Sequence, residues 1–287
     1  MVYHGYDGVE TKKLAGQVAL ITGGGRGLGR AYAQALATAG AAVAVVARSA
    51  AQVEETAAQI TASASQGHPQ PLALIADVSD RQAVMAVVAA VEEQLGPIDL
   101  LVNNAGIASP LGPLWEVDPD EWWRSMEINV RSVHLCSSAV LPGMIARRRG
   151  RIINVASGVR PITYMSAYNV SKLSLIRLTE LLAAEVEPFG LHIFALGPGF
   201  VRTAMTEYLT ESTIGQKWLP WGTHRFAEGR DVPAALSVQL LLRMAAGETD
   251  ALSGRYIDIT DNIDQLLTQV EVIKQDQLYT LRLHKCR

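Results

Sequence analysis

A tyrosine and a lysine four positions apart are the side chains of this sequence best suited to acid–base chemistry. Tyr168 and Lys172 lie in a segment with helical periodicity, so we expect them on one helix face, one turn apart. A free phenol titrates near ~10, too high for efficient proton transfer at neutral pH, and a nearby ammonium favours the phenolate. The pair predicts that Tyr168 transfers a proton and that Lys172 lowers its pKa. Such a pair alone would also suit an exposed helix face.

A glycine-rich loop, TGGGRGLGR, follows the first predicted strand. Glycines at these positions allow a tight turn and bring a helix N-terminus against a pyrophosphate. Strand, loop and helix occur in the order that dinucleotide binding requires, although a simple tight turn also selects glycine. The residues expected to contact the cofactor here are Thr22, Gly23, Gly25, Arg26, Gly27, Leu28 and Gly29.

The end of the second predicted strand bears on which nicotinamide cofactor is bound. Sites for NAD usually place an acid there to accept the ribose hydroxyls. This strand ends at Arg48, and the first acid after it is Glu54. The guanidinium groups of Arg48 and Arg26 could bind a 2'-phosphate through charge-assisted hydrogen bonds. We therefore expect NADP(H), with NAD(H) possible if Arg26 is merely exposed and Arg48 pairs with Glu54 or Glu55.

Apolar runs of strand length alternate with longer segments of helical period along most of the chain. The predicted strands are QVALIT, AVAVVA, PLALIA, DLLVN, RIINVA and HIFAL, and helical segments include 81–95 and 171–187. Strands that are apolar on both faces suit a parallel sheet covered by helices on each side. The sequence predicts an α/β, doubly wound Rossmann fold with a parallel sheet of about seven strands, in one domain over residues 1–287.

Composition argues against several classes of function. The net charge of −3 offers no positive field to a nucleic-acid backbone or a membrane surface. No stretch resembles a secretory leader or approaches the ~20 uncharged residues of a membrane span, so we expect a cytoplasmic protein.

Cys136 and Cys286 lack neighbours at a metal-site spacing, which predicts two free thiols and no metal. The arginines at 147–151 are expected to form a solvated helix end.

The order and spacing of several motifs resemble the classical short-chain dehydrogenase/reductase family. These motifs are TGGGRGLG, Asp77, NNAG at Asn103 to Gly106, Asn129, Ser157, YNVSK at Tyr168 to Lys172 and PGFVRT at Pro198 to Thr203, and the likeness spans about residues 14–260. The resemblance implies hydride transfer between a nicotinamide cofactor and a carbonyl or alcohol. It also implies a set of residue roles.

In these roles, Tyr168 exchanges a proton with the carbonyl oxygen and Ser157 polarises the carbonyl through a hydrogen bond. The resemblance further implies that Lys172 binds the nicotinamide ribose and that Asn129 holds a water that relays protons. Cofactor contacts are implied for Asp77 and Val78 at the adenine, for Asn104, Ala105 and Gly106 in the centre, and for Pro198, Gly199, Val201 and Thr203 at the nicotinamide.

Two features depart from the family pattern. Ser157 precedes Tyr168 by 11 residues, slightly less than is common, and Gly197 stands where an Asn is common. Ser166 is an alternative serine, but NVAS at the end of a predicted strand is the position that the family uses. We therefore keep Ser157.

An aromatic insert at about 203–229 occupies the position of the family's mobile substrate lid. Its Trp218 and Trp221 either wall an apolar pocket or pack on the domain itself or on a neighbouring subunit. A tail follows at about 261–287, in which 265–274 could form a short helix.

Three further tryptophans, Trp115, Trp122 and Trp123, are expected to pack in the core rather than to contact substrate. The last two lie in PDEWW, which reads as a helix begun by Pro119 and capped by Asp118.

The combined expectation is an NADP(H)-dependent enzyme that reduces a carbonyl to an alcohol, reversibly. Its partners would be a small carbonyl or alcohol substrate and copies of itself. The family resemblance implies pairing of the helices around 130–144 and 168–187 into a dimer or homotetramer. The alternatives are an NAD-dependent alcohol dehydrogenase of the same fold and a non-catalytic NADP(H)-sensing protein.

Overall fold

The computed structural model describes residues 13–64, 67–222 and 224–283. Within them, seven strands form one sheet in the order β3-β2-β1-β4-β5-β6-β7, and all neighbouring strands are parallel. The strands are β1 (Val18–Thr22), β2 (Ala42–Ala47), β3 (Leu72–Ile75), β4 (Ile98–Asn103), β5 (Arg151–Val155), β6 (His192–Gly197) and β7 (Tyr256–Asp258). The predicted doubly wound α/β fold is confirmed.

Helices connect the strands and cover both faces of the sheet. The α-helices are α1 (Gly27–Thr38), α2 (Ala50–Ser63), α3 (Arg81–Gln94), α4 (Pro119–Met126), α5 (Ser132–Arg147), α6 (Ser166–Val186), α7 (Ala204–Glu211), α8 (Thr213–Trp218), α9 (Ala234–Ala245), α10 (Ile263–Thr268) and α11 (Val270–Gln275). A π-helical turn (Glu127–Arg131) joins α4 to α5, and a 3₁₀ turn (Pro220–Gly222) follows α8. None of the described helices is long and apolar enough to cross a membrane.

The central strands are apolar on both faces because two layers of helices bury them. Every residue of β1 and of β4 is buried, and separate apolar cores lie on the two sides of the sheet. Strand β3 departs from this pattern, since Ile75 is 61% exposed. The reason is position, because β3 is an outer strand of the sheet.

Capping aspartates fix the N-termini of two helices. Asp118 accepts hydrogen bonds from the backbone N–H groups of Asp120 and Glu121 (2.8 and 3.0 Å), and Pro119 occupies the first turn, as predicted. Asp80 caps α3 in the same way through the N–H groups of Gln82 and Ala83. These caps fix the helices that follow β3 and β4.

The expectation of a solvated helix end holds for the exposed Arg147, Arg148 and Arg149 and is wrong for Arg151, which is part-buried. Arg147 donates to the carbonyl of Ile98 (2.8 Å), and Arg149 pairs with Asp99 (3.1 Å). Arg151 forms two hydrogen bonds with Asp250 (2.8 and 2.6 Å). The cluster ties α5 and β5 to neighbouring strands and to the turn at 250–252, contacts between distant residues that the sequence pattern does not encode.

The expectation of core packing for the tryptophans after β4 is also wrong for two of the three. Trp115 is 83% exposed and Trp123 is 61% exposed. Trp122 is part-buried, and its indole N–H donates to the hydroxyl of Ser166 (3.0 Å) at the start of α6. Trp122 therefore links α4 to the helix that carries Tyr168.

The tail folds back onto the sheet and onto α6. Helices α10 and α11 replace the single short helix expected at 265–274. The backbone N–H of Tyr256 in β7 donates to the carbonyl of Tyr279 (2.9 Å). The N–H of Leu281 donates to the carboxylate of Glu180 in α6 (2.6 Å), and Arg177 donates to the carbonyl of Leu281 (2.6 Å). The tail thus covers the free edge of β7.

The structure describes one of the two cysteines. Cys136 is a free thiol buried in α5, and burial raises its pKa to about 12. Cys286 lies outside the described residues.

Candidate active site

A cavity of about 460 Å³ opens along the carboxyl ends of the strands. It is lined by residues that follow six of the seven strands, which is the place where open parallel sheets bind ligands. The predicted residues that line it are Gly23, Gly25, Arg26, Gly27, Leu28, Gly29, Arg48, Asp77, Val78, Asn104, Ala105, Gly106, Tyr168, Lys172, Pro198 and Thr203. The cavity therefore collects the glycine loop and the Tyr–Lys pair into one site.

The glycine loop is built for close backbone approach. Gly27 has a φ of +55°, and a Cβ on Gly29 would lie 2.1 Å from the carbonyl oxygen of Gly23, so no side chain fits there. Helix α1 begins at Gly27 without a side-chain cap and without an acid in its first turn. Its free N–H groups face a cradle suited to a pyrophosphate.

Two guanidinium groups border the part of the cavity next to β2. Arg26 and Arg48 both line it and are exposed, and neither forms an ion pair with another described residue. Of the two alternative partners for Arg48, Glu54 forms no described ion pair with it, and Glu55 is held by Arg30 through two hydrogen bonds (2.9 and 2.7 Å). Among the described lining residues, Asp77 is the only acid. Both arginines are available to a phosphate.

Asp77 is held by groups from two other elements. Its carboxylate accepts from the backbone N–H and the hydroxyl of Ser79 (2.9 and 2.6 Å) and pairs with Arg124 of α4 (3.1 Å). Burial alone would raise the pKa of Asp77, but these hydrogen bonds outweigh it and hold the pKa below its ordinary value. Asp77 is therefore a fixed, ionised group at this side of the cavity.

The loop after β4 is tied to the end of β1. The hydroxyl of Thr22 accepts from the N–H groups of Asn104 and Ala105 (3.0 Å each), and the amide of Asn104 donates to the carbonyls of Thr22 and Gly23 (3.0 and 3.2 Å). Thr22 is buried and does not line the cavity. Its contribution is to hold the two loops that do.

Tyr168 and Lys172 lie on the same face of α6, as their spacing predicts. The Lys172 ammonium lies 5.8 Å from the centre of the Tyr168 ring and donates to the carbonyl of Val155 (2.8 Å). Burial lowers the pKa of Lys172 to about 8. The lysine is thus placed to face the cavity at the end of β5.

The expectation that Lys172 lowers the pKa of Tyr168 is not met. Burial raises the pKa of Tyr168 above its ordinary value, and the hydrogen bond with the Ser157 hydroxyl is what counteracts it. The geometry does bring Ser157 to Tyr168, in spite of the short spacing between them. Ser166, the alternative serine, is occupied by the indole of Trp122.

Asn129 lies in the π-helical turn and is fully buried. Its carbonyl oxygen accepts from the N–H of Ile107 (2.8 Å), and its amide donates to the carbonyl of Ile107 and to Ser171 (2.9 Å each). Ser171 in turn donates to the carbonyl of Tyr168 (2.7 Å). A Cβ on Gly106 would lie 3.1 Å from the Asn129 carbonyl oxygen, a tight contact that the glycine avoids. Asn129 connects the loop after β4 to helix α6.

Only some of the predicted site residues in the loop after β6 line the cavity. Pro198 and Thr203 line it, whereas Gly199 and Val201 do not. Gly199 packs so closely that a Cβ would lie 2.4 Å from Ile259, and Val201 is buried and bridges to Val232. These two residues hold the loop in place. Both were predicted to contact the nicotinamide, but neither lines the cavity in the structure.

Gly197, the departure from the family pattern, has a local reason. A Cβ at this position would lie 2.3 Å from the hydroxyl of Tyr256 and 2.6 Å from the carboxylate of Asp258. Tyr256 donates to Asp258 (3.0 Å) across the space that a side chain would fill. The Tyr256–Asp258 pair of β7 therefore occupies the space that a side chain on Gly197 of β6 would need.

An apolar cluster packs against Tyr168 on its side towards the lid. We call it the apolar wall, and its members are Ala108, Leu111, Met165, Leu209 and Leu219, with the part-buried Ile162, Tyr168, Met205 and Trp218 packed on them. The ring of Trp218 in the lid lies 4.9 Å from the ring of Tyr164, in the loop before α6. The described part of the insert at 203–229 therefore packs against Tyr168 through this cluster.

Several lining residues were not singled out from the sequence. They are Val46, Ala47, Ser49, Gln52, Ala76, Ile107, Ile128, Val155, Ala156, Ala204 and Met205. Most are small or apolar residues directly beside predicted site residues, at the ends of strands. Only their position near other site residues could have identified them, because most of their residue types do not suggest a role in binding or catalysis.

Comparisons with known proteins agree with this architecture. The family model for short chain dehydrogenase matches residues 17–213. A short chain dehydrogenase of Pseudocercospora fijiensis is 33% identical over 98% of this chain and 95% of its own length. The 3-oxoacyl-(acyl-carrier-protein) reductase of Vibrio cholerae is 35% identical over 86% of this chain and 96% of its own. The crystal structure of levodione reductase superposes with a TM-score of 0.78 at 30% identity, covering 86% and 96% of the two chains. This chain therefore belongs to the short-chain dehydrogenase/reductase family, whose members are oxidoreductases that use a nicotinamide nucleotide.

Proposed function

We propose that this protein is an NADP(H)-dependent oxidoreductase that reduces a ketone or other carbonyl to a secondary alcohol, reversibly. The observation that carries the choice of cofactor is the pair Arg26 and Arg48, both on the wall of the cavity and both without an ion-pair partner among the described residues. A 2'-phosphate beside them would receive two charge-assisted sets of hydrogen bonds. The cofactor NAD(H) has a ribose hydroxyl in place of this 2'-phosphate and so offers no anionic group at this position.

The chemistry of the carbonyl is assigned to Tyr168 and Ser157. A bound nicotinamide supplies the hydride in reduction and accepts it in oxidation. The Tyr168 hydroxyl donates a proton to the carbonyl oxygen, and Ser157 donates a hydrogen bond that polarises the carbonyl. Because burial raises the pKa of Tyr168, its hydroxyl is fully protonated at neutral pH, which is the form that reduction requires.

The remaining members of the catalytic set act around this hydroxyl. We assign to Lys172 the binding of the nicotinamide ribose, since its ammonium faces the cavity between Val155 and Tyr168. Asn129 acts as a positioning residue through Ile107 and Ser171. A proton relay through a water at Asn129 stays a prediction.

Self-association as a dimer or tetramer is part of the proposal. Helix α6 carries Val170 and Leu181 as exposed apolar side chains, which would be buried by a second copy of the chain. Light scattering of the purified protein measures the oligomeric state directly.

The proposed function is tested by titrating the protein with NADPH and with NADH and by following cofactor consumption with a panel of ketones. We expect NADPH to bind more tightly and to support turnover. Arg26→Ala and Arg48→Ala should each weaken NADPH binding about tenfold or more and leave NADH binding nearly unchanged. Arg81→Ala, an exposed arginine at the start of α3, is the matched control.

Two other results would overturn this proposal in different ways. Tighter binding of NADH with turnover of an alcohol would identify an NAD-dependent alcohol dehydrogenase. Binding of NADPH without turnover of any carbonyl or alcohol would favour a protein that senses the cofactor.

A further inference from the structure

The end of β5 and helix α6 meet at a junction that carries the candidate chemistry. Lys172 of α6 donates to the carbonyl of Val155 (2.8 Å), and Tyr168 of α6 forms a hydrogen bond with Ser157. Ala156 lies between Val155 and Ser157 in the chain and lines the cavity. The alignment of Tyr168 with Ser157 therefore depends on how α6 lies against this short segment.

The space behind this junction is filled by one aromatic ring. Ala156 packs with Ile176 of α6 and Ala195 of β6 in a small buried cluster, and Tyr256 of β7 packs against that cluster. Ile176 lies one helical turn after Lys172. Because two of the three cluster residues are alanines, the phenol ring of Tyr256 is the largest side chain that packs there.

The hydroxyl of Tyr256 reaches the end of β6, where it lies over Gly197. A Cβ on Gly197 would lie 2.3 Å from this oxygen and 2.8 Å from the ring carbon that bears it, so the glycine leaves room for the phenol. The hydroxyl donates to the carboxylate of Asp258 (3.0 Å). Tyr256 is therefore held at the tip of its side chain as well as along its ring.

Asp258 is itself held by the turn that follows β7. Its carboxylate accepts from the backbone N–H and the hydroxyl of Thr260 (3.0 Å each), and its own N–H donates to the carboxylate of Asp261 (2.7 Å). Burial raises the pKa of Tyr256, and the charges of the two aspartates raise it further. The Tyr256 hydroxyl therefore stays protonated at neutral pH and remains a donor to Asp258.

We propose that Tyr256 is a positioning residue of this active site, whose ring sets the position of α6 against the end of β5 and whose hydrogen bond with Asp258 holds that ring in place. This inference rests on the proposed function, because it concerns the alignment of Tyr168 with Ser157 for proton transfer. Tyr256 does not line the cavity, so it acts through its packing neighbours and not on the substrate. A misplacement of about 1 Å at a reacting group can lower the rate of an enzyme ~100-fold.

Two substitutions separate the ring of Tyr256 from its hydroxyl. Tyr256→Phe removes the hydrogen bond and keeps the ring, so we expect kcat for ketone reduction with NADPH to fall about 3- to 10-fold. Tyr256→Val also removes the ring and should lower kcat at least ~30-fold, because α6 can then shift towards Ala156. The dissociation constant of NADPH should change less than ~3-fold in both variants, because most cofactor contacts lie away from the junction.

Tyr32→Phe is the matched control for Tyr256→Phe. Tyr32 of α1 is fully buried in the core on the other face of the sheet, and its hydroxyl shares a hydrogen bond with Ser237 (2.5 Å). This variant also loses one buried tyrosine hydrogen bond, so it should lose stability and keep its kcat. An equal fall of kcat in the two variants would assign Tyr256 a role in stability alone and overturn the inference.

A double-mutant cycle asks whether Tyr256 acts through Ser157. Residues that serve one alignment have non-additive effects on catalysis. In a Ser157→Ala background, Tyr256→Phe should lower kcat by less than ~1.5-fold further, because the hydrogen bond that it protects is already gone. Equal fold losses with and without Ser157 would show that Tyr256 acts independently of this alignment, contrary to the inference.

Crystal structures with NADPH test the positioning role without any need for turnover. We expect the hydroxyls of Tyr168 and Ser157 to be hydrogen-bonded in the wild type and in Tyr256→Phe, and to lie beyond hydrogen-bonding distance in Tyr256→Val. If the wild type reduces no carbonyl but the variant shows this displacement, the proposed function fails and the positioning role stands. An unchanged hydrogen bond in Tyr256→Val would overturn the positioning role, whatever the activity.

Discussion

The hydroxyl of Tyr168 is the one group of the site whose removal separates chemistry from binding. Replacing Tyr168 by Phe takes away the proton donor and leaves the ring packed on the apolar wall. We expect turnover to fall at least ~100-fold while the affinity for NADPH changes little, because general acid catalysis typically contributes that much. Steady-state kinetics and cofactor fluorescence measure the two effects. Turnover retained by this variant would exclude Tyr168 as the proton donor.

The buried ammonium of Lys172 has a consequence for stability. Its pKa falls from 10.5 to about 8 in the folded chain, so below pH 8 the folded state bears the full cost of burying the charge. Between about pH 8 and 10.5 the unfolded chain binds more protons, and stability must therefore rise with pH. Relative to Lys172→Met, the free energy of unfolding of the wild type should rise by on the order of 3 kcal/mol.

This prediction is checked by urea unfolding of both proteins at several pH values. The difference between the two proteins isolates Lys172, because the other groups titrate alike in both. A difference that is constant from pH 7 to 10.5 would mean that the lysine titrates normally.

At the scale of single elements, the glycine loop depends on how closely α1 approaches β1. A methyl group on Gly29 would collide with the backbone carbonyl of Gly23, which cannot move as a flexible side chain could. We expect Gly29→Ala to weaken NADPH binding at least ~10-fold and to cost about 1–3 kcal/mol of stability, as overpacking typically does. Calorimetry and cofactor titration report the two losses.

Gly158 provides the matched control for that change. It has no atom within 4 Å of an added Cβ and no positive φ, so Gly158→Ala should alter neither stability nor NADPH binding. Unchanged cofactor binding by Gly29→Ala would show that the loop can shift.

The elements show what could be predicted from sequence and what could not. Six strands were predicted within one or two residues, because long apolar runs between helical segments identify buried parallel strands. Strand β7 was not located, since Tyr256–Asp258 is too short to show a pattern. The π-helical turn at Glu127–Arg131 was also not predicted, and it carries Asn129, whose contact with Ile107 joins residues far apart in the sequence.

The features of the candidate site also divide into those that could be predicted from sequence and those that could not. Most of the motif residues that line the cavity were identified, because the types and spacing of motif residues are recognisable in the sequence. The pKa direction of Tyr168 was not, since it depends on burial by Met165, Leu209 and other lid contacts far apart in sequence. The ion pairs of Arg149 and Arg151 were not predicted for the same reason, because Asp99 and Asp250 approach them only in the fold.

At the scale of the whole molecule, the tail protects the outer edge of the sheet. An uncovered edge strand pairs readily with another chain, and Tyr279 covers β7 while Leu281 ties the tail to α6. Removing residues 277–287 should lower the midpoint of thermal unfolding and cause concentration-dependent association. Removing only residues 284–287 retains every described contact of the tail and is the control. Equal behaviour of the two truncations would show that the tail does not protect the edge.

The order of the strands has a consequence for motion. Strands β2 and β3 are added on one side of β1 and strands β4 to β7 on the other, so one half of the sheet carries Arg48 and Asp77 while the other carries Tyr168 and Pro198. A ligand that spans the cavity touches both halves, and local opening of either half must first release it. Hydrogen exchange of amides in both halves should therefore slow together when the cofactor binds, even in strands that never touch it.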